Sequence, residues 1–147
     1  MEYNHFIVSG LLSGVLYLLY HKVNDTAILS KVLKWLLIFN FVSFNATLLL
    51  SGAFDYKTHF PIHLCYLTEL GVFLSIIFKS KILYPWLALN ALGGGITGFT
   101  NSNLSENALL IEYIHLYLSH FSLILFFIII YLNKFTISRY EFIQSTI

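Results

Sequence analysis

Apolar residues in this chain come in runs of roughly 18 to 22, the length at which a helix rising 1.5 Å per residue crosses a hydrocarbon core about 30 Å thick. The runs fall at about 3–20, 35–54, 60–78, 82–99 and 112–132, and the tail 133–147 is too polar to span. This pattern predicts an all-α polytopic membrane helix bundle with five transmembrane helices, forming a single transmembrane domain in the cell membrane. The residues AVILMFWYC make up 58% of the 147 positions and charged residues 10%, whereas a soluble domain carries roughly 25% charge. The net charge of +1 comes without a polybasic block, so the electrostatic footprint of a nucleic-acid binder is missing. The single cysteine, Cys65, excludes an intramolecular disulfide and any multi-cysteine zinc motif. Met1 and Glu2 give no basic leader, and no small-x-small cleavage site follows, so the first span is expected to stay.

Orientation follows from the basic residues, which are retained on the cytoplasmic side near span ends. Lys22, Lys31, Lys34, Lys79, Lys81, Lys134 and Arg139 fall after span one, after span three or in the tail, leaving Lys57 on the opposite side. The amino terminus is therefore expected outside and the carboxyl terminus in the cytoplasm. The connection carrying Lys22, Asn24, Asp25, Lys31 and Lys34 reads as a basic loop, and Pro61 suits the first turn of span three. Ser9, Gly10, Ser13 and Gly14 in span one, and Gly94 with Gly98 in span four, are small residues at spacings that let helices approach closely. The run Gly93–Gly95 also admits a second reading, irregular backbone beside a cavity.

Ionisable groups within spans are functional candidates by default. With the amino terminus outside, Cys65 and Glu69 in span three and His115 and His120 in span five lie in the outer half. His5, His63, Asn45, Thr97, Thr100 and Asn101 come from the same side, while Val72–Phe78 and Leu123–Tyr131 are almost wholly apolar. Cys65 and Glu69 are four residues apart and share a helix face, whereas His63 is turned about 200° from Cys65. His115 and His120 diverge by about 140°, so both do not face one point squarely. A Cys65, Glu69 and histidine cluster can activate a thiol: the imidazole draws off the proton and the carboxylate orients the imidazolium. The plainer readings are a cysteine that fills apolar space, a protonated or hydrogen-bonded Glu69, an interfacial cap at His59, and His115 in an aromatic belt with Tyr113 and Tyr117. No histidine spacing matches a metal-ligand motif, so no metal and no cofactor are expected.

Three blocks resemble the YwaF-type family of bacterial integral membrane proteins, related to eukaryotic transmembrane acyltransferases that remodel ether phospholipids. They are His59-Phe-Pro-Ile-His-Leu-Cys65, Gly93-Gly-Gly-Ile-Thr-Gly-Phe-Thr100 and Tyr113-Ile-His-Leu-Tyr-Leu-Ser-His120, in the family's order and spacing from span two onward. The resemblance marks Pro61, Cys65 and His120, and His115 more weakly; Glu69 is not part of the pattern. It implies, for the acyltransferase relatives, a cysteine that takes an acyl group from a phospholipid and a histidine that assists. The chain ends soon after span five, where the family continues through one or two more spans.

The leading expectation is a membrane-embedded lipid acyltransferase or lipid hydrolase. Cys65 is its nucleophile, His120 or His115 the base, and Glu69 a supporting carboxylate, with His63, Asn45, Thr97, Thr100 and Asn101 lining the substrate pocket. Membrane lipid is the expected partner, and oligomeric state is left open. The alternative is a non-catalytic membrane protein, a small-solute or ion carrier or a subunit of a membrane assembly.

Overall fold

The computed structural model describes residues 2–23, 25–55, 64–101, 104, 108–136 and 138, without the side chains of 2 and 3. Among these residues all regular structure is helical: α1 (Glu2–Lys22), α2 (Thr26–Leu50), α3 (Leu64–Ile77), α4 (Tyr84–Thr100) and α5 (Leu110–Leu132). Helices α2 and α5 are long and apolar enough to cross a membrane, and α3 is a shorter apolar helix. Helix α1 has 21 residues but is polar at both ends, and α4 has 17.

Each helix begins and ends where its local chemistry dictates. Asp25 caps α2, its Oδ1 accepting from the backbone N–H groups of Ala27 (2.8 Å) and Ile28 (3.3 Å), which satisfies two of the four free donors of a helix start. The expected basic loop is thereby corrected: helix resumes at Thr26, and Lys31 and Lys34 stand on the first turns of α2. Their long stems let the ammonium groups reach back toward the helix end. Pro85 occupies the first turn of α4, where its missing N–H costs nothing. Glu112 reaches back to the backbone N–H of Leu109 (2.6 Å), so this carboxylate caps α5 and is no buried charge. Helices α2, α3 and α5 stop in the same way, on a residue of positive φ: Gly52, Lys79 and Lys134. The next N–H in each case, from Ala53, Ser80 or Phe135, bonds to a carbonyl five residues back.

Cross-contacts fix the helix directions. His5 meets Tyr117 and Tyr20 meets Tyr131, so α1 runs parallel to α5. Asn40 meets Ser119 and Thr26 meets Asn133, so α2 is antiparallel to α5. Gly71 packs on Leu87 and Gly94 on Cys65, setting α3 against α4. Helix α5 touches all four others. The chain thus alternates direction, which brings Lys22, Lys31, Lys34, Lys79, Lys81 and Lys134 to one end.

Polarity is inverted relative to a water-soluble domain. Phe6, Leu11, Trp35, Phe39, Leu50 and Phe78 are exposed, while Asn40, Thr68, Glu69, Ser119, His120 and Ser122 are buried. Contiguous apolar exteriors of this kind require an apolar solvent or partner. The interior is divided lengthwise. Around Leu33, Leu37, Val72, Leu87, Ala88, Phe126 and Ile130 it is a hydrocarbon core, and the buried polar groups other than Ser75 gather toward the other end.

Candidate functional site

Two polar arrangements occupy that end, on opposite sides of α5. The first is centred on Asn40, which stands on the buried stripe Leu29, Leu33, Leu37, Asn40, Phe44, Leu48 of α2. Its Nδ2 donates to Glu69 Oε1 (2.9 Å) and to Ser119 Oγ (2.9 Å), and Ser119 donates to Glu69 Oε2 (2.7 Å). Both carboxylate oxygens are thus occupied in a site where Asn40 is 0% and Glu69 1% exposed. An amide oxygen can only accept, so the 3.1 Å contact between Asn40 Oδ1 and His115 Nδ1 places the proton on Nδ1. The lone pair of neutral His115 is then on Nε2. The imidazole is held flat against Phe44, ring centroids 3.9 Å apart and planes 12° apart, with Tyr66 beyond it at 5.4 Å. Glu69 therefore acts on His115 through an intervening amide.

The second arrangement is built on glycines of α4. A side chain at Gly98 would collide with the His120 ring, and one at Gly95 with Ile124 of α5, so the absence of Cβ atoms is what lets α5 lie this close. A methyl group at Gly94 would stand 3.2 Å from Cys65 Sγ, one turn along α4 from the glycine that faces the His120 ring. Cys65, half-buried on α3, and His120 of α5 thus pack on the same glycine run of α4, at Gly94 and Gly98. Among the described residues His120 Nδ1 is buried without a hydrogen-bond partner.

Cys65, Glu69, His115 and His120 accordingly share one end of the bundle. The two histidines are divided between the arrangements, as their angular separation of about 140° requires. Asn45 is half-buried at the rim, its Nδ2 donating to the Phe41 carbonyl (2.8 Å) and Tyr66 OH (3.3 Å). Thr97, Thr100 and Asn101 are exposed. The Thr97 and Thr100 hydroxyls bond carbonyls of their own helix, those of Gly93 (2.8 Å) and Ile96 (3.0 Å). His59, Pro61 and His63 lie outside the described residues. Among the described residues no group of three or more His, Cys, Asp or Glu is placed to hold a metal ion.

Sequence reasoning passed over Asn40 and Ser119. The available signal was an uncharged amide within an apolar run, but Asn45 offered the same signal, and nothing in the run sets the helix phase.

Inverted polarity, an apolar exterior and helices of spanning length define a helical membrane protein. The TMEM164 family matches residues 1–147, the whole chain, and the chain belongs to that family. No curated protein and no solved structure matches it.

Proposed function

We propose that this TMEM164-family chain crosses the cell membrane five times, amino terminus out, and is a lipid acyltransferase or lipid hydrolase with Cys65 as nucleophile. The observation that carries the chemistry is the placement of Cys65 and His120 against one glycine run of α4, the thiol at Gly94 and the imidazole at Gly98. Beside that bare backbone stand a thiol and an imidazole nitrogen without a partner among the described residues. His120 takes the thiol proton through Nδ1, the thiolate attacks the ester carbon, a C–S bond forms and the ester C–O bond breaks. The leaving lysolipid oxygen recovers the proton from His120. A hydroxyl then attacks the thioester, giving a new ester if it belongs to a lipid and a free fatty acid if it is water. His115 is the alternative base, its Nε2 left open by the Asn40 contact.

The YwaF-type resemblance, which marks Cys65 and His120, supports the same reading at the level of residues. Five spans are supported by the alternating directions of the five helices, of which α2 and α5 are long and apolar enough to cross a membrane. The gathering of described lysines at one end supports the orientation.

The test is Cys65→Ser in full-length protein in phospholipid nanodiscs. Expected is loss of labelling by an acyl-like thiol-reactive probe together with loss of acyl exchange. An unchanged lipid profile with undiminished labelling defeats the proposal. Solute uptake that survives Cys65→Ser but is lost on Glu69→Gln instead establishes the carrier.

A further inference from the structure

The seam between α1 and α5 contains buried polar atoms that, among the described residues, have no hydrogen-bond partner. The inward stripe of α1 begins His5, Ser9 and continues through Leu12 and Leu16, so its polar members stand at the same end as His120. His5 is 7%, Ser9 5% and His120 8% exposed, yet His5 Nε2, Ser9 Oγ and His120 Nδ1 each lack a hydrogen-bond partner. Buried polar atoms are almost always paired, and an unpaired one costs about 1–3 kcal/mol. Three on one seam point to an occupant.

Geometry places them together. His5 Nδ1 lies 3.0 Å from Tyr117 OH and the two rings stack at 5.5 Å. Tyr117 is three residues before His120, on the same face of α5. His120 therefore stands one helical turn from the tyrosine that holds His5. A fourth unpartnered atom, Ser122 Oγ, is turned about 200° from His120 and is not part of the set.

The chemistry of the set selects its ligand. Neither a lysine nor an arginine is among these groups, which leaves a phosphate without a countercharge. A serine hydroxyl both donates and accepts, His5 Nε2 does one or the other according to its tautomer, and His120 Nδ1 presents a lone pair when the ring proton is on Nε2. A hydroxyl group complements all three at once.

We propose that His5, Ser9 and Tyr117 form the binding site for the hydroxyl that discharges the acyl group from Cys65, delivering its O–H to His120 Nδ1. This rests on the reading of Cys65 as nucleophile. The hydroxyl oxygen attacks the thioester carbon, its proton passes to His120, and the C–S bond breaks to leave a thiolate, which recovers that proton. The hydroxyl belongs to a lysophospholipid or to water. Tyr117, only half-buried, stands at the mouth of the seam.

The test has two independent arms on the full chain in phosphatidylcholine nanodiscs. In the first, 15N-imidazole signals of His5 and His120 are followed as lysophosphatidylcholine is added. Shifts of both, with that of His120 lost in His5→Phe and both weakened in Ser9→Ala, identify the lipid alcohol. No shift, with magnetisation exchange from water to the same rings, identifies water. Neither response overturns the site, whatever the state of Cys65. In the second, rapid quenching separates acylation of Cys65, read as hydroxylamine-labile label, from its discharge. His5→Phe keeps the aromatic stack and is expected to slow discharge about tenfold more than loading, the factor carried by one lost hydrogen bond. Equal slowing of both steps, in His5→Phe and in the milder Ser9→Ala, overturns the acceptor role. A wild-type chain that never acylates Cys65 defeats the nucleophile reading, and the imidazole arm still decides whether the seam binds a hydroxyl.

Discussion

Asn40 commits its entire side chain to other helices: two donors to Glu69 and Ser119 and the carbonyl to His115. Replacement by Leu would keep the volume and strip every partner. It would leave a carboxylate oxygen and an imidazole N–H unpaired in a dry site, a loss of about 3–5 kcal/mol. Asn40→Leu is therefore expected to lower the thermal midpoint of the detergent-solubilised protein markedly. Asn45→Leu, whose amide bonds mainly within its own helix turn, should cost under about 1.5 kcal/mol. Equal shifts for the two variants would show that the network does not hold the bundle. Asn40→Asp is a sharper version: it keeps an acceptor for His115 but turns an oxygen toward Glu69, and like charges at that distance repel.

The element scale turns on the α4–α5 seam. Gly98 and Gly95 meet His120 and Ile124 directly, whereas nothing lies within 4 Å of a side chain built on Gly93. Gly98→Ala must push the imidazole or the helix aside, at about 1–3 kcal/mol for overpacking, and should lower both stability and any Cys65-dependent acyl exchange. Gly93→Ala adds a helix-favouring methyl in open space and should be neutral or stabilising by up to about 1 kcal/mol. Thermal midpoints of the two variants, measured side by side, check this, and a tolerated Gly98→Ala would contradict the close approach. The helices themselves were legible in the sequence because apolar length is a direct reading of the solvent. The boundaries were less so: the run of lysines masked the Asp25 cap, and α2 starts before its apolar stretch does. Helix phase was not legible at all. The outward face of α2, with Ile28, Val32, Trp35, Phe39 and Val42, is as apolar as the inward stripe, because lipid rewards both. That is why Asn45 stood out and Asn40 did not, and why Thr97 and Thr100 looked like pocket residues while bonding their own helix.

At the scale of the whole molecule, the alternation of five helices and the lysines at one end make a topology prediction. A reporter fused after Ile147 should read cytoplasmic, and one placed ahead of Met1 should be reached by protease from outside intact cells. The reverse accessibility would invert the assignment of every polar group to the outer half.

The hydrocarbon core around Leu33, Leu37, Val72, Leu87 and Phe126 has a consequence for traffic. The hydrocarbon separates the polar cluster from the end that carries the lysines. Under the proposed topology and chemistry, a lipid that reacts at the cluster comes from, and returns to, a single leaflet. The composition of that leaflet would change while the opposite one kept its own, until lipids crossed by some other route.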